Sequence, residues 1–559
     1  MRPLRLCGET LFPWNESLPY GAEELVEDGG KMTHRNAHRF PLVGWLLVVV
    51  MLATALIWLA FPAGAAPGLQ GDENLPTPTL YPVQNTPYTL TVVGGKEETY
   101  TFTHENQNGF VFGQTTVTSE YPLGMTFTLD VSSESSTVEE VILFVRFVHD
   151  SGTRAQAKWD AERGLWVARL WEAGGQPAWT HFDFHWRVRD ATGAFVDTED
   201  YPMDYWDPDH QWYRSESEQL ILYWRDFGTD NPDAIAQKMA DTIAALEKRR
   251  IEGFGAPLSY KPIAVIYPDR ESLSAMYGSG ISNTRAAGFT SSDLGISVQV
   301  LRDAGYAPNQ ENCIWATPPE EWTMERRINT IYATTGHELV HLTQYEVMGG
   351  MMGYLWFSEG QAEWFTSEPG LYDRRLRHLA TLQDLPTLQM DYGWQLNQAD
   401  GCYGLPYDMG ASFLNFLMYH YGGIDFHLQL VKKMRGEGKS VFKAVEDLTG
   451  KPFLEVENEW RTYLGFRPLT PADLDPALAL EPYEDPLFAV GDTITLPAMP
   501  PIVQMFKSPV PRAALSGSCF ANTPVKVLRM GQKDGIVYIE IDCMGMVGWV
   551  SRQALVGPQ

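Results

Sequence analysis

Two histidines four residues apart frame a glutamate in the run His337-Glu338-Leu339-Val340-His341. Residues i and i+4 of a helix share a face, so both imidazoles can reach one metal ion while the carboxylate between them points at a neighbouring position. Seventeen residues separate His341 from Glu359, which opens the run Glu359-Gly360-Gln361-Ala362-Glu363, with two carboxylates again at i and i+4. Three protein ligands plus water make a catalytic zinc site, whereas four make a closed structural one. Chance alone supplies a His-Glu-x-x-His pentapeptide in roughly one of fifty chains of this length and composition, so the second run is what makes the case. Together the two runs assign His337, His341 and Glu359 as ligands for Zn2+. Glu363 is left to hold one imidazole in the right tautomer from behind.

Those side chains need helices under them. Thr317-Pro318-Pro319-Glu320-Glu321 offers an N-cap, prolines at the first helical positions and acidic residues in the first turn, while Gly349-Gly350 ends the apolar pattern. The His pair is therefore predicted on a helix between them. Gly360 and Ala362 are small enough for the second run's helix to pack closely on another. Upstream, residues 220–224, 263–267 and 296–301 read as strands, and Ile235, Met239, Ile243 and Leu246 form the stripe of a helix. A small sheet ahead of the His helix offers an edge on which an extended peptide can pair. Downstream of Tyr407 the pattern is helical to about residue 464.

In these motifs the chain resembles the gluzincin metallopeptidases, the peptidase MA-like family in particular and, more distantly, the membrane alanyl aminopeptidases. Trp356-Phe357-Ser358-Glu359-Gly360-Gln361-Ala362-Glu363 is similar to their W-x-x-E-G-x-A-E segment, which carries the third zinc ligand. Tyr407-Asp408-Met409-Gly410 is similar to their later Tyr-x-x-Gly segment, whose tyrosine stabilises the oxyanion. The resemblance covers roughly residues 215–470. It implies a zinc metallopeptidase in which Glu338, as general base, passes a proton from water to the leaving amine. It also implies that Tyr407 donates to the tetrahedral oxyanion, an interaction worth on the order of 3 kcal/mol. A tyrosine at a helix start can equally be a packing residue, and that reading stays open for Tyr407. Two departures stand out: the His341–Glu359 spacing is slightly shorter than in the better-known members, and no Gly-x-Met-Glu-Asn segment for gripping a free amino terminus is present. The remaining ten of the 12 histidines lack ligand spacing, and His420 and His427 read as surface or interface residues.

With 559 residues the chain is too long for one core. Seventy acidic residues against 42 basic ones give a formal net charge of −28, spread along the chain, which argues against nucleic acid as a partner. The composition, 44% apolar and 12% aromatic, is that of a folded protein. Residues 42–61 carry no charge, follow Arg35 and Arg39, and precede Ala63-Gly64-Ala65-Ala66. This order fits a secretory signal and equally a single membrane span, and either exports the catalytic part to an extracellular or cell-surface location. Residues 1–31 suit neither role and read as a doubtful leader ahead of Met32, so that 32–66 form the signal or anchor.

The expected layout is multidomain α+β. A linker at 67–87 leads to an immunoglobulin-like β-sandwich at 88–205, where residues 125–131 and 184–188 alternate at period two. The gluzincin-type domain follows at 215–466, then a Pro-rich linker at 467–500. An SH3-like β-barrel is expected at 501–557, where Val537, Ile539 and Ile541 alternate and Gly548-Trp549-Val550 resembles a closing strand. Such modules often bind cell-wall peptides, so a cell-wall or cell-surface ligand is the expected second partner beside a peptide or protein substrate. Of five cysteines, Cys7 lies in the leader; Cys313 with Cys402 and Cys519 with Cys543 are the simplest disulfides in an oxidising compartment. Two other readings share these residues: a metal-stabilised pseudopeptidase serving as an extracellular binding scaffold, and a zinc hydrolase of non-peptide amides.

Overall fold

In a computed structural model of the chain, the described residues are 83–228, 231–277, 287–301, 321–350, 354–368, 370–389, 404–509, 513 and 515–556. The doubtful leader, the apolar segment 42–61, Cys313 and Cys402 lie outside them. The architecture is mixed α+β with several sheets.

Two five-stranded sheets occupy the N-terminal part. One runs in the order Thr99–Thr103, Phe110–Ser119, Met125–Ser133, Leu165–Leu170, Lys158–Asp160; the other is built on His181–Asp190 and Val138–Arg146. Along His181–Asp190 the residues Phe182, Phe184, Trp186 and Val188 are buried, while His181, Asp183, His185 and Arg187 between them are not. That is the period-two signature of a sheet with one face in a core. Phe127 of the first sheet meets Phe184 of the second edge-to-face at 5.2 Å, so the two apolar faces share that core.

Residues 88–94, expected in the sandwich, pair elsewhere. Tyr88–Gly94 runs antiparallel to Gln211–Ser217 and belongs to a six-stranded sheet. From there the order continues Ile221–Arg225, Ile263–Tyr267, Ile296–Val300 and Gly288–Ser291. The physical reason is apolar contact: Tyr88 and Leu90 pack on the cluster formed by Ile235, Met239 and Ile243. Three of the four inner strands are parallel, and two of them, Ile263–Tyr267 and Ile296–Val300, are buried throughout, as parallel strands covered on both faces must be. Gly288–Ser291 returns antiparallel and forms one edge.

Among the described residues, nine helices lie between Pro232 and Leu464: α1 Pro232–Phe254, α2 Arg270–Tyr277, α3 Met324–Thr343, α4 Leu355–Thr366, α5 Leu371–Leu379, α6 Leu405–Tyr421, α7 Ile424–Glu437, α8 Val441–Thr449 and α9 Phe453–Leu464. The His helix α3 starts later than the Thr-Pro-Pro signal predicts. Thr323 is its cap, accepting from the Arg326 N–H at 3.2 Å, and its first turn holds Glu325. Its far end matches the expectation: a π-helical turn over Gln344–Met348 stops at Gly349, which is left-handed at φ 78°. Helices α4 and α6 cross where Gly360 meets Gly410. A Cβ on Gly410 would stand 1.7 Å from the Trp356 carbonyl, and one on Gly360 2.4 Å from the Gly410 backbone. Only glycine at both positions allows this approach, which brings Tyr407, one turn before Gly410, towards Glu359, next to Gly360.

The C-terminal strands form a seven-stranded sheet that is open, so the expected closed barrel is not seen among the described residues. Its path begins at Glu481–Pro482 and ends at Leu515–Phe520, and Pro482 has no N–H with which to extend the ladder. Part of the stretch expected as linker joins this sheet. Thr493–Thr495 pairs with the strand Pro524–Lys533, and Leu496 is buried in the sheet's core with Val527, Ile539 and Ile541. Cys519 and Cys543 are joined by a disulfide. No helix among the described residues is long and apolar enough to cross a membrane.

Candidate metal centre

Helix geometry puts His337, Glu338 and His341 of α3 against Glu359 and Glu363 of α4, and every one of the five is less than a tenth exposed. His337 Nε2 stands 3.1 Å from His341 Nε2, and Glu359 Oε2 lies 3.2 Å and 3.4 Å from those two nitrogens. These three residues form a group able to hold a metal ion.

Ring protons are assigned from their partners, which here leave little freedom. His337 Nδ1 faces Glu363 Oε1 at 3.3 Å, and His341 Nδ1 faces Gln344 Oε1 at 2.8 Å. Both partners accept, so both Nδ1 atoms carry hydrogen and both Nε2 atoms present lone pairs to each other and to Glu359. With both rings neutral, three acceptors converge on one point, and Glu359 Oε1 has no hydrogen-bond partner. Such an arrangement calls for positive charge, supplied by a metal cation or, without one, by a proton on a ring. Burial drags the His337 pKa down, but Glu359 and Glu363 outweigh it and hold it well above the usual imidazole range. For Glu359, burial opposes ionisation, yet the two imidazoles win and pull its carboxyl down to about 2. An N,N,O donor set of this kind, buried and backed by further acceptors, suits a divalent transition metal.

Behind His337, the Glu363 carboxylate accepts from the hydroxyls of Ser367 and Tyr372 through Oε2. Glu363, expected behind one imidazole, is placed 3.3 Å from His337 Nδ1. Tyr372, which the sequence did not single out, completes the set.

Glu338 is buried, and its Oε2 accepts from the Thr290 hydroxyl at 2.6 Å. Burial raises its pKa, against the pull of His341 and His337. Thr290 belongs to the edge strand Gly288–Ser291, and the same hydroxyl lies 3.2 Å from the Glu338 carbonyl. Tyr407 is 4% exposed, its ring lying nearly parallel to that of His337 with centroids 6.2 Å apart. Burial, then the carboxylates of Glu359, Glu363 and Glu338, push its pKa well up, so the phenol keeps its proton. Close by, Arg375 pairs with Asp408 at 2.9 Å in a buried ion pair that ties α5 to α6.

His427, whose sequence position suggested a surface or interface residue, lies in the interior. It is fully buried between Phe254 and Phe365, donates from Nδ1 to the Gly253 carbonyl at 2.8 Å, and faces Gln361 at 2.9 Å. Gln344 touches His341 and Thr290 touches Glu338, while Gln361 stands behind Gln344; the sequence singles out none of these contacts. The spacing of Gln344, three residues past His341 on one helical face, was the signal available.

No family model matches the chain, and no curated protein matches it. Among solved structures it is similar to the crystal structure of Legionella pneumophila aminopeptidase A in complex with aspartic acid, at a TM-score of 0.26 and 11% identity. The overlap covers 61% of this chain and 48% of that one, so the chain spans about half the length of that protein. So loose a likeness transfers neither a fold nor a residue role, and the centre stands on its own geometry.

Proposed function

We propose that the protein is an exported, zinc-dependent peptidase of the gluzincin type. The observation that carries this reading is the convergence of two imidazole nitrogens and one carboxylate oxygen within 3.1–3.4 Å, each imidazole backed by its own acceptor, with Glu338 and Tyr407 alongside. Zn2+ held by His337, His341 and Glu359 supplies a Lewis acid that polarises a peptide carbonyl and makes water acidic near neutral pH.

The chain's own groups do the rest. Glu338 takes a proton from the attacking water and hands it to the departing amine; a carboxyl whose pKa burial has raised is suited to both steps. Tyr407, kept protonated, donates to the oxygen that gains negative charge. An extended peptide adds beside the edge strand Gly288–Ser291, whose Thr290 already touches Glu338, so a bond held there lies near the base. The N-terminal sheets serve as an immunoglobulin-like spacer, and the C-terminal sheet as an SH3-like module for a cell-wall or cell-surface ligand. The Cys519–Cys543 disulfide supports the exported location.

The test is metal content of the purified protein together with cleavage of a mixed peptide library. Stoichiometric zinc and cleavage abolished by a chelator are expected. A metal-free protein with undiminished cleavage would refute the reading.

A further inference from the structure

The two imidazoles are held by unlike devices, and the one behind His341 is the less usual. His341 Nδ1 meets Gln344 Oε1 at 2.8 Å; Gln344 Nε2 donates to Gln361 Oε1 and to the Ser358 carbonyl, each at 2.8 Å. Gln361 Nε2 then meets His427 Nε2 at 2.9 Å, and His427 Nδ1 donates to the Gly253 carbonyl at 2.8 Å. All four side chains are buried.

Backbone carbonyls can only accept, and that fixes the direction of every link. Gly253 O demands a hydrogen on His427 Nδ1, which leaves its Nε2 as an acceptor for Gln361. Ser358 O demands that Gln344 turn its amide nitrogen away from His341, which leaves Oε1 facing the ring. Gln361 is then the only piece that can join them, amide nitrogen to His427 and oxygen to Gln344. Any single reversal puts two donors or two acceptors face to face inside a dry interior.

We infer that Gln344, Gln361 and His427 form a one-way hydrogen-bond chain that positions His341, presenting its Nε2 lone pair to the metal, and that its far end at His427 tunes metal affinity. This rests on the proposed zinc reading. The chain crosses four elements: α7 carries His427, α4 carries Gln361, the π turn after α3 carries Gln344, and α1 carries Gly253. His427 is kept neutral, its pKa lowered to about 4 mainly by burial with Arg249 contributing, so its Nε2 stays an acceptor down to mildly acid pH. One consequence runs against the usual rule. A carboxylate behind a metal-bound histidine normally strengthens the site. At Gln344 it cannot, since a carboxylate would confront the Ser358 carbonyl and Gln361 Oε1 with a third acceptor.

The experiment measures the Zn2+ dissociation constant of the full-length protein against a competing chelator, with histidine-ring nitrogen shifts as a second readout. Gln361→Met, which removes both polar ends at similar volume, is expected to weaken zinc about ten- to a hundredfold although Gln361 touches no proposed ligand. Gln344→Glu is expected to weaken it too. The His427 ring is expected to carry its proton on Nδ1 with or without zinc. Zinc affinity within twofold of wild type in Gln361→Met, tighter binding in Gln344→Glu, or a His427 proton on Nε2 would each overturn the inference. His341→Ala keeps the two questions apart: if it binds zinc as wild type does, the metal reading itself fails, whereas the His427 tautomer is still read in the metal-free protein.

Discussion

The β-rich segment from Thr99 to Asp204 and the helical segment from Met324 to Leu464 bury the same kinds of apolar side chain but place charge in opposite ways. In the first, Phe127, Leu129, Leu143, Phe184 and Trp186 fill the interior, and ion pairs such as Arg146–Asp183 and Arg187–Asp197 lie at the solvent face. In the second, two imidazoles and three carboxylates are gathered inside the protein. An ionised group taken from water costs several kcal/mol unless its partners are complete, and a well-packed apolar cluster of similar volume is often as stable or more so. Stability therefore accounts for the first segment and not for the second. Concentrated, buried, mutually perturbing groups are what a catalytic site maintains at the expense of stability.

The largest effect expected from breaking this contrast is at Glu338. Glu338→Gln keeps the shape and the Thr290 contact while removing the proton acceptor, so turnover should fall by about 10²–10⁴-fold with zinc content unchanged. His341→Ala should lose stoichiometric zinc instead. Elemental analysis beside peptide-cleavage rates separates the two. Near-normal turnover in Glu338→Gln would remove its role as base.

Next in size is the buried pair Arg375–Asp408. Arg375→Ala takes away the guanidinium facing a carboxylate that is 2% exposed, and unfolding of the helical segment should become easier by about 3–5 kcal/mol. Chemical denaturation followed by tryptophan fluorescence reads this out. A shift below 1 kcal/mol would show that the buried charge is compensated from elsewhere.

Tyr407→Phe should lower kcat by on the order of 10²-fold with little change in KM or zinc occupancy, because the lost donor acts chiefly in the transition state. The ring's stacking beside His337 survives the change, so a drop in zinc occupancy instead of kcat would mark Tyr407 as a packing residue.

How far this site could be read beforehand depended on sequence distance. The His pair, Glu359 and Glu363 announce themselves through spacing inside single helices, where geometry is local. Tyr407 needed a family resemblance, since its approach to Glu359 comes from two glycines 50 positions apart, Gly360 and Gly410. The partnership of Gln361 with His427 spans 66 residues, and that of His427 with Gly253 spans 174; no periodicity encodes either. Strand membership failed for the same reason: nothing near Tyr88 says that it will pair with Ser217. The cap of α3 was misplaced more simply, because Thr317-Pro318 offers a stronger local signal than the Thr323 that does the capping.

Acid should separate the two segments again. His427 has its folded-state pKa lowered to about 4. Between that value and the unfolded value near 6.5 the unfolded chain binds the extra proton, so stability falls as pH drops. From pH 7 to pH 5 this one group should cost the helical segment about 2 kcal/mol. His181, in the β-rich part, behaves with the opposite sign: its bond to Asp204 raises its pKa, so any stability it gives is present in acid and fades as pH rises. It is half exposed and water screens it. Urea midpoints of wild type and His427→Gln at the two pH values test this, and equal acid sensitivity in both would remove His427 from the explanation.

The smallest effect is expected from the ion pair that looks best on geometry alone. Arg187 meets Asp197 through both arms, Nε to Oδ1 at 2.6 Å and Nη2 to Oδ2 at 2.7 Å, and its guanidinium lies 5.0 Å from the centre of the Phe144 ring. Both side chains are more than a third exposed, however, so water competes for every contact and the attraction is nearly matched by the cost of holding two long side chains still. Arg187→Ala should shift stability by only about 0.5 kcal/mol, part of it lost packing of the arginine stem. Arg375→Ala removes the same guanidinium from a buried place and is expected to cost several times more. Measured in one protein, the pair of variants asks whether burial or geometry sets what an arginine contributes. Comparable losses in the two would mean that the β-rich surface carries its charges for stability after all.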